Sequence, residues 1–385
     1  MFGVRPLPDR MNAVTTSLLR HALSDEASGE FAKCALRHAR ATCHPDETVY
    51  HALLRGPPPP RRIPAAAGQR KSAPVKLLHD LDNLPDPLRH GAVTIGNFDG
   101  VHVGHAGIVE RLVAKARQLG GPAVVLTFDP HPARILRPEQ PPTPLCWTQR
   151  KAQLLGQLGA DAVIAYPTDK AFLGLDARQF FDHVLRDRLA ARAVVEGPNF
   201  FFGRDRQGDV DVLHALCSEA RIALEVCPPV RVEGQVVSSS VIRALVAEGR
   251  VEPARRMLTE PYRIRGTVVR GAGRGTHLGY PTANVADVDT LLPGEGIYAG
   301  RALVEGRWWP AAISLGPNPT FDEGVRKVEA YLMDYAGDLF YDRRIEVDFL
   351  ARLRDIVRFD SVAGLIAEME RDVAAAREIV MGYRP

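Results

Sequence analysis

Short apolar runs alternate with segments of helical periodicity between residues 75 and 258. Apolar runs rich in alanine and β-branched residues predict buried strands at Ala92–Ile95, Ala123–Phe128, Ala162–Tyr166, Ala193–Glu196 and Ala223–Val226. Helical spacing covers residues 149–158, 177–189 and 210–220. Strands that alternate with helices favour an α/β fold, a doubly wound parallel sheet with helices on both faces and ligands at the carboxyl ends of the strands.

The pattern changes at about residue 261. Strand-like segments joined by turns follow at residues 262–270, 298–305, 308–315, 326–333 and 345–350, and a long amphipathic helix at 361–379. This order predicts an antiparallel β-barrel with a C-terminal helix. The chain is therefore expected to hold an α/β domain at residues 75–258 and a barrel domain at residues 259–385.

Residues 1–74 differ in composition from both predicted domains. Four consecutive prolines, Pro57 to Pro60, precede two arginines and a run of alanines. We expect a disordered Pro/Arg/Ala-rich extension without chemistry of its own. It holds 11 Lys and Arg against 6 Asp and Glu, which leaves 38 basic and 40 acidic residues in the rest of the chain. Because the two domains are not basic, no nucleic-acid partner is expected.

Cysteine spacing and hydropathy limit the cellular compartments in which the protein is expected. The five cysteines show no CxxC spacing, which is typical of a reducing compartment and predicts a cytoplasmic protein. No apolar run approaches the ~20 residues that a membrane helix needs, so no membrane partner is expected. Homo-oligomer formation is left open.

The stretch 92–105, AVTIGNFDGVHVGH, joins the first predicted strand to a helix. The strand is broken by a tight loop containing Gly96, Asn97, Asp99 and Gly100. Backbone N–H groups of such a loop and the positive end of the helix dipole together make an anion site. Gly104 would let a phosphate approach the main chain.

Two histidines, His102 and His105, stand three residues apart in this stretch. Their imidazoles can donate hydrogen bonds to phosphoryl oxygens as charge develops in a transition state. The spacing is also compatible with a metal site, in which His131 is a conceivable third ligand. A purely structural loop is the other alternative, but it does not account for this crowding of histidines, aspartate and glycines.

Two more polar segments follow predicted strands. One is GPNFFFGRDRQGD at residues 197–209, in which arginines stand among aromatic residues and glycines. The other is SSSVIR at residues 238–243, where serines open a helix and Arg243 lies one turn in. Serines at a helix start cap it and can bind phosphate.

The barrel domain has its own polar segment, GAGRGTHLGYPTAN, at residues 271–284. It is not a P-loop, because GK[ST] is absent, and it is not GxGxxG, because Thr276 holds the last position and no helix is predicted to follow. Thr282 and Asn284 offer hard oxygen ligands that suit Mg²⁺. Glu329, on a predicted strand, is either a solvent-facing residue or a general base towards an alcohol.

These motifs together resemble two modules of flavin metabolism. GNFDGVHVGH, DPHP, the 197–209 loop and SSSVIR resemble the flavin-nucleotide adenylyltransferase module. GTVVRGAGRGTHLGYPTAN, GPNPTF, VEAYLMD and RLRDIVRFDS resemble the riboflavin kinase module. Their order is similar to that of the bifunctional bacterial riboflavin kinases/FMN adenylyltransferases, and the resemblance runs from about residue 75 to residue 379. It implies a nucleotidyltransferase domain followed by a kinase barrel.

The resemblance implies that the barrel transfers the γ-phosphoryl group of ATP to riboflavin, giving FMN. Glu329 would take the hydroxyl proton, and Thr282 and Asn284 would bind Mg²⁺. The remaining residues that the resemblance implicates in the barrel are Gly271, Gly273 and Gly279 for ATP and Asn318 and Arg352 for flavin.

The first domain would then join FMN to AMP from a second ATP, giving FAD and pyrophosphate. His102 and His105 would stabilise the triphosphate. The resemblance implicates Gly96, Asn97, Asp99, Gly104, Ser239, Ser240 and Arg243 in ATP binding, and Asn199, Phe200, Phe202 and Arg206 in flavin binding. The chain departs from the family pattern at Asn199, usually Asp, at Ser240, often Thr, and at Tyr331, commonly His.

Two other functions stay open on the sequence. An adenylyltransferase of the same fold could act on a non-flavin phosphate, and a flavin-binding sensor could retain the barrel without turnover. The PTAN segment argues against the first, and the presence of Glu329 and Thr282 argues against the second.

Overall fold

The computed structural model describes residues 75–318, 320, 323–337 and 340–384, with the backbone alone at 318 and 323–325. The extension predicted at residues 1–74 lies outside these residues. None of the helices within the described ranges is long and apolar enough to cross a membrane.

A six-stranded parallel sheet forms the centre of the α/β domain. Its strands are β1 (Lys76–Leu78), β2 (Ala92–Ile95), β3 (Ala123–Phe128), β4 (Ala162–Tyr166), β5 (Ala193–Glu196) and β6 (Ala223–Val226). They lie in the order β1-β4-β3-β2-β5-β6. The hydrophobic pattern predicts all of them except β1, a three-residue edge strand too short for the pattern to reveal.

Alternate residues of each central strand enter two different cores. In β3, Val124 and Leu126 pack into one cluster with Phe181, whereas Val125 packs on the other face with Leu112. This confirms a doubly wound sheet covered by helices on both faces. The helices of this domain are α1 (Val103–Leu119), α2 (Ala133–Leu136), α3 (Thr148–Gln157), α4 (Lys170–Leu173), α5 (Ala177–Phe180), α6 (Val210–Ala220), α7 (Ser239–Ala247) and α8 (Val251–Met257).

One predicted helix has a different geometry. Residues 177–189 begin as α5, but Phe181–Arg188 form a π-helix, in which the Leu189 N–H bonds to the carbonyl of Val184, five residues back. Short elements complete the domain: 3₁₀ turns at Asp86–Leu88 and Arg204–Arg206, and a hairpin of β7 (Arg231–Val232) and β8 (Gln235–Val236).

The sheet changes direction next to β2. This strand pairs with β3 on one side and with β5 on the other, so the chain winds outward from β2 both ways. Ligands of open parallel sheets bind at such a point, outside the carboxyl ends of the strands. Here Glu196, at the end of β5, accepts a 2.6 Å hydrogen bond from the N–H of Ile95, at the end of β2. The loop after β2 therefore starts from a fixed position.

The second domain is a closed antiparallel barrel, as predicted. Its strands are β9 (Tyr262–Val269), β10 (Thr282–Ala286), β11 (Gly296–Val304), β12 (Arg307–Asn318), β13 (Glu323–Leu332) and β14 (Arg344–Arg354), in the closed order β10-β13-β12-β11-β14-β9. The C-terminal helix α10 (Val362–Gly382) begins after the N-cap Ser361, and its Ala376 is buried against Ala299 and Met333.

Two elements of the barrel differ from the sequence prediction. No strand or helix is predicted within the glycine-rich segment, but its end forms the strand β10, and a short helix, α9 (Arg274–His277), lies inside it. The five-residue strand is hidden in the sequence because four of its residues are polar or small.

One of the hydrophobic clusters extends across the two domains. Ile242 and Val246 of α7 lie in the same buried cluster as Ile264 and Tyr298 of the barrel. Backbone hydrogen bonds also connect them, since the N–H of Leu291 donates to the carbonyl of Pro144 at 2.9 Å. This continuous packing holds the start of the barrel against the loop after β2.

Candidate active sites

The loop after β2 has a constrained backbone. Phe98 and Val101 adopt positive φ angles of 46° and 42°, which are unfavourable for residues other than glycine, and both are buried. Thr259, at the start of the barrel domain, holds the carbonyl of Val101 with its N–H at 3.3 Å and its hydroxyl at 2.7 Å. Packing and hydrogen bonds from both domains thus fix the loop, as is common where strain accompanies function.

His102 and His105 cap helix α1 reciprocally. The N–H of His105 donates to Nδ1 of His102 at 3.2 Å, and the N–H of His102 donates to Nδ1 of His105 at 3.3 Å. The rings stack with centroids 3.6 Å apart. Because each Nδ1 accepts a hydrogen bond, each neutral ring carries its proton on Nε2. The pair therefore presents two Nε2–H donors.

Both rings are neutral at pH 7. Burial lowers the pKa of His102 to about 4. Burial also lowers the pKa of His105 well below the ordinary value, and the charges of His102 and Lys151 add to this effect. The Nδ1 atoms are occupied by backbone donors, and within the described residues no group of three His, Cys, Asp or Glu side chains could hold a metal ion. The geometry favours hydrogen-bond donation over metal binding by this pair.

Gly104 has a local reason to be glycine. A Cβ atom at this position would lie 3.0 Å from Nδ1 of His102. The missing side chain thus makes room for the capping imidazole. Close approach of a phosphate, the reason predicted from the sequence, stays a prediction.

Asp99 and Arg243 form a buried ion pair beside the loop. Nη2 of Arg243 lies 2.7 Å from Oδ2 of Asp99, and the N–H of Leu145 donates to Oδ1 at 2.9 Å. Arg243 also donates from Nε to the carbonyl of Thr143 at 3.0 Å. The Ser239 hydroxyl donates to the carbonyl of Asp99 at 2.9 Å. These bonds connect α7 to the loop and engage much of the hydrogen-bonding capacity of the pair.

The helix that carries these residues begins as predicted. Ser238 is the N-cap of α7, and its hydroxyl accepts a hydrogen bond from the N–H of Val241. Ser240 is exposed in the first turn. The hydroxyl of Ser240 therefore remains accessible near a helix N-terminus, whereas that of Ser239 is used by the loop.

Sequence reasoning missed Lys151 and Thr127. Lys151 lies in α3 and is only 7% exposed; its Nζ is 3.2 Å from Oγ1 of Thr127. The Thr127 hydroxyl in turn donates to the carbonyl of Asn97 at 3.0 Å. A lysine in a short helix normally extends into solvent, so the sequence alone carries no signal that this one is buried.

The three phenylalanines of the 197–209 segment have different surroundings. Phe202 is 5% exposed and belongs to the core, whereas Phe201 is 45% exposed with the Arg206 guanidinium 4.2 Å above its ring. Phe200 is half-buried and stacks on Phe202, with ring centroids 5.4 Å apart. Asn199 is exposed. Phe202 thus supports the segment, and Phe200, Phe201 and Arg206 form its accessible part.

The barrel contains a cavity beneath the glycine-rich segment. Its polar side is lined by Gly271, Gly273, Gly275, Thr282, Asn284 and Glu329. Asn284 is paired in register with Glu329 across β10 and β13, and Thr282, two residues earlier, lies on the same face of β10. Three oxygen-bearing side chains of the kind that bind a hydrated cation or a hydroxyl group therefore share one side of the cavity.

The glycines allow the segment to lie directly against these side chains. A Cβ atom on Gly271 would overlap the amide of Asn284, and one on Gly275 would lie 3.2 Å from Oγ1 of Thr282. Gly279 has a φ of 87°, which favours glycine at the turn before β10. Gly273, with a φ of 70°, turns the chain into α9.

The opposite side of the cavity is mostly apolar. It is formed by Ile356, Val357, Phe359, Leu365, Met369 and Val373. Arg354 and Asp372 also line it and are paired, with Nη2 and Oδ2 2.7 Å apart. A flat, largely apolar ring fits such a wall. Sequence reasoning named none of its residues, because they come from the segment 355–361 and from α10, far along the chain from the glycines.

Arg352 does not line this cavity. Its Nη2 donates to the carbonyl of Glu295 and to Asp355, each at 2.6 Å, and its N–H donates to Glu252 of α8 at 3.0 Å. It thus connects the barrel to the first domain, and Arg354 lines the cavity instead. The predicted flavin role of Arg352 gains no support from this position, and the side chain of Asn318 lies outside the described residues.

The chain was compared with known proteins. A family model described as FAD synthetase matches residues 85–241, and one described as riboflavin kinase matches residues 258–380. A bifunctional riboflavin kinase/FMN adenylyltransferase from Pseudomonas fluorescens is 37% identical, over 79% of this chain and 98% of the relative. The protein so described from Escherichia coli K12 is 32% identical, over 79% of this chain and 97% of the relative.

The solved structures include a similar fold over the same length. A structure described as a macrolide-efflux protein from Streptococcus pneumoniae is 28% identical, covers 79% of this chain and 99% of its own, and has a TM-score of 0.71. Both domain models match in the predicted order, and relatives above 30% identity are covered almost completely. The chain therefore belongs to the bifunctional riboflavin kinases/FMN adenylyltransferases, transferases that convert riboflavin to FMN and FMN to FAD.

Proposed function

We propose that the two reactions take place at two separate sites, phosphorylation in the barrel cavity and adenylylation at the loop after β2. The observation that carries this assignment is the reciprocal capping of His102 and His105, which gives the first site paired N–H donors. The second site instead offers the oxygens of Thr282, Asn284 and Glu329. Each set suits one of the two reactions and not the other.

In the barrel, Glu329 acts as the general base. It accepts the proton of the riboflavin 5′-hydroxyl as that oxygen bonds to the γ-phosphorus of ATP and the bond to the β,γ-bridging oxygen breaks, releasing ADP. Gly271 and Gly273 place backbone next to the phosphates, and Gly279 permits the turn that closes the segment. The apolar wall contributed by the segment 355–361 and α10 holds the isoalloxazine ring.

The polar side of the cavity fits Mg²⁺. Thr282 and Asn284 supply hydroxyl and amide oxygens, ligands that Mg²⁺ accepts together with phosphate oxygens and water. The glycine segment lies directly over both side chains, so phosphates bound beneath it would complete the coordination. When bound, Mg²⁺ neutralises phosphate charge; the residues of this chain orient the hydroxyl and remove its proton.

At the loop after β2, a phosphate oxygen of FMN attacks the α-phosphorus of ATP and pyrophosphate leaves. The nucleophile is already an anion, so no base is required. His102 and His105 donate from Nε2 to the triphosphate as negative charge moves to the leaving group. Gly96, Asn97, Asp99 and Gly104 shape the loop, and the exposed hydroxyl of Ser240 binds phosphate at the start of α7.

Ser239 and Arg243 complete the nucleotide side of this site, where their bonds to Asp99 hold α7 against the loop. On the flavin side, Asn199 and Arg206 bind the polar edge of FMN. Phe200, backed by Phe202, covers its ring. The free, buried cysteines Cys146, Cys217 and Cys227 fit a reducing compartment, and we place the activity in the cytoplasm.

Incubation of the purified protein with riboflavin, ATP and Mg²⁺, followed by chromatography of the flavins, tests the proposal. FMN should appear first and FAD second. Accumulation of FMN alone would contradict the assignment of the first site and direct attention to Asn199. Conversion of added FMN to FAD without use of riboflavin would contradict the assignment of the barrel.

A further inference from the structure

Lys151 is a buried cation without an acidic partner. It is 7% exposed, and among the ion pairs of the described residues none includes it. Its ammonium group donates a hydrogen bond to the neutral hydroxyl of Thr127 at 3.2 Å. Lysines are almost never buried unless paired, because the loss of hydration must be compensated by an anion.

The ammonium group of Lys151 lies close to the proposed adenylylation site. The Thr127 hydroxyl that accepts from Nζ donates to the carbonyl of Asn97, so one intervening residue separates the ammonium from the loop after β2. The charge of Lys151 also acts on both nearby histidines, lowering the pKa of His105 and of His131. In each case burial is the larger cause.

The other polar groups around it are mostly donors. His102 and His105 present Nε2–H groups, and Nδ1 of His131 accepts from the N–H of Ala133 at 3.1 Å, which leaves Nε2 as the donor of that ring too. The Asp99 carboxylate is already bonded to Arg243 and to the backbone, and the Asp129 carboxylate accepts from the Thr148 hydroxyl at the start of α3. A group of donors whose neighbouring carboxylates are already engaged favours an anionic ligand.

We propose that Lys151 binds a phosphoryl oxygen of the substrates of adenylyl transfer. The assignment rests on the proposed function of the first site. An ammonium group has three N–H donors, and one bond to Thr127 leaves capacity for the ligand. The oxygen belongs either to the triphosphate of ATP or to the phosphate of FMN, and in both cases Thr127 acts as a positioning residue that holds Lys151 beside the loop.

The experiment uses the full chain and the variants Lys151→Met and Lys151→Arg. Methionine keeps the length of the side chain without its charge, and arginine keeps the charge. Lys170→Met, at an exposed position of the same domain, is the matched control. Steady-state kinetics of FAD formation give kcat and KM for ATP and for FMN, while riboflavin phosphorylation in the barrel reports whether each variant is folded.

Lys151→Met should lower kcat/KM for FAD formation by about 10- to 100-fold, the loss expected for one charged hydrogen bond. Kinase activity and the control should not change. A rise in KM for ATP assigns the oxygen to the triphosphate, and a rise in KM for FMN assigns it to the flavin phosphate. Activity within about twofold of the wild type would overturn the proposal.

Comparison of Lys151→Met with Lys151→Arg distinguishes a phosphate-binding role of Lys151 from a space-filling one. If Lys151 only fills space, methionine should be tolerated better than the larger, charged arginine, and that order would overturn the proposal. If it binds phosphate, Lys151→Arg should retain more activity than Lys151→Met. Calorimetric titration should show about tenfold weaker binding to Lys151→Met, of inorganic pyrophosphate if the oxygen belongs to the triphosphate and of FMN if it belongs to the flavin phosphate. Unchanged binding of both would overturn the proposal. These titrations test Lys151 even if the wild type forms no FAD, an outcome that would refute the proposed function alone.

Discussion

Nδ1 of His102 accepts the backbone N–H of His105 at 3.2 Å, and the reciprocal bond is 3.3 Å long. One pair of side chains thus caps helix α1 and, because each Nδ1 is occupied, leaves the Nε2–H of each ring as a donor. In the proposed function the same two residues both cap the helix and bind the triphosphate, and a substitution can separate these roles.

Asparagine at position 102 should keep the cap and remove the donor. Asn is among the best N-cap residues, whereas alanine at a cap typically costs about 1 kcal/mol. We expect His102→Asn to unfold close to the wild-type midpoint, with His102→Ala lower. Both variants should form FAD about 100-fold or more slowly than the wild type, the loss expected when one hydrogen-bond donor to the transition state is removed. Thermal unfolding and FAD assays measure the two effects, and wild-type FAD formation by His102→Asn would contradict the donor role.

The buried histidines should make stability depend on pH. An unfolded histidine titrates at about 6.5, whereas His102 titrates at about 4 in the folded protein. The folded state therefore binds fewer protons between these values, so its stability is full above about pH 6.5 and falls as the pH drops towards 4. Urea midpoints at pH 7 and pH 5 should differ more for the wild type than for His102→Asn.

The same neutral rings predict the pH profile of the reaction. Because both imidazoles are already uncharged at pH 7, kcat of FAD formation should show no inflection near pH 6.5. An inflection there that disappears in His102→Asn would mean that the imidazolium form is the active one.

The Asp99–Arg243 pair should matter mainly for the position of the loop. Asp99→Asn leaves the guanidinium of Arg243 partly buried without its anion, which should cost about 2–4 kcal/mol. Arg243→Met should cost less when Asp99 is already Asn than in the wild type. Urea unfolding of the two single variants and the double variant measures this coupling. Additive losses would show that the ion pair does not act as a unit.

The elements around the first site follow from local sequence rules. Apolar runs identify β2, β3, β4 and β5, and the glycines and His102 identify the loop, because these signals lie within a few residues of each other. The reciprocal cap is not predictable in this way, because histidine is not a preferred N-cap residue. Nor is Lys151, whose burial depends on the packing of α3 against the sheet.

In the barrel, too, the sequence does not reveal which residues lie close together, because these residues are far apart along the chain. Thr282, Asn284 and Glu329 can be singled out by residue type, but their proximity depends on the pairing of β10 with β13. The apolar wall comes from the segment 355–361 and from α10, and the spacing and composition of that helix do not indicate a ligand. Arg352 and Arg354 are equally basic in the sequence, and only the barrel register places Arg354 at the cavity.

Glu329→Gln should separate the two activities. Glutamine keeps the size of the side chain but cannot take the hydroxyl proton, so FMN formation should fall by about 10²–10⁴-fold. Conversion of added FMN to FAD should be unchanged, because that site lies in the other domain. Glu305→Gln, an exposed position at the end of the β11–β12 hairpin, is the control. Loss of both activities in a folded Glu329→Gln protein would contradict the two-site assignment.

Gly271→Ala should weaken nucleotide binding in the barrel. The new Cβ would overlap the amide of Asn284, so either that side chain or the glycine segment must move. Since Asn284 is a proposed Mg²⁺ ligand, we expect KM for ATP in FMN formation to rise by about tenfold, with a higher Mg²⁺ requirement. Gly382→Ala, at the exposed end of α10 where a Cβ meets no atom within 4 Å, controls for general effects of the substitution. If Gly271→Ala lowered stability without changing the Mg²⁺ titration, the segment would have a packing role instead of a nucleotide-binding role.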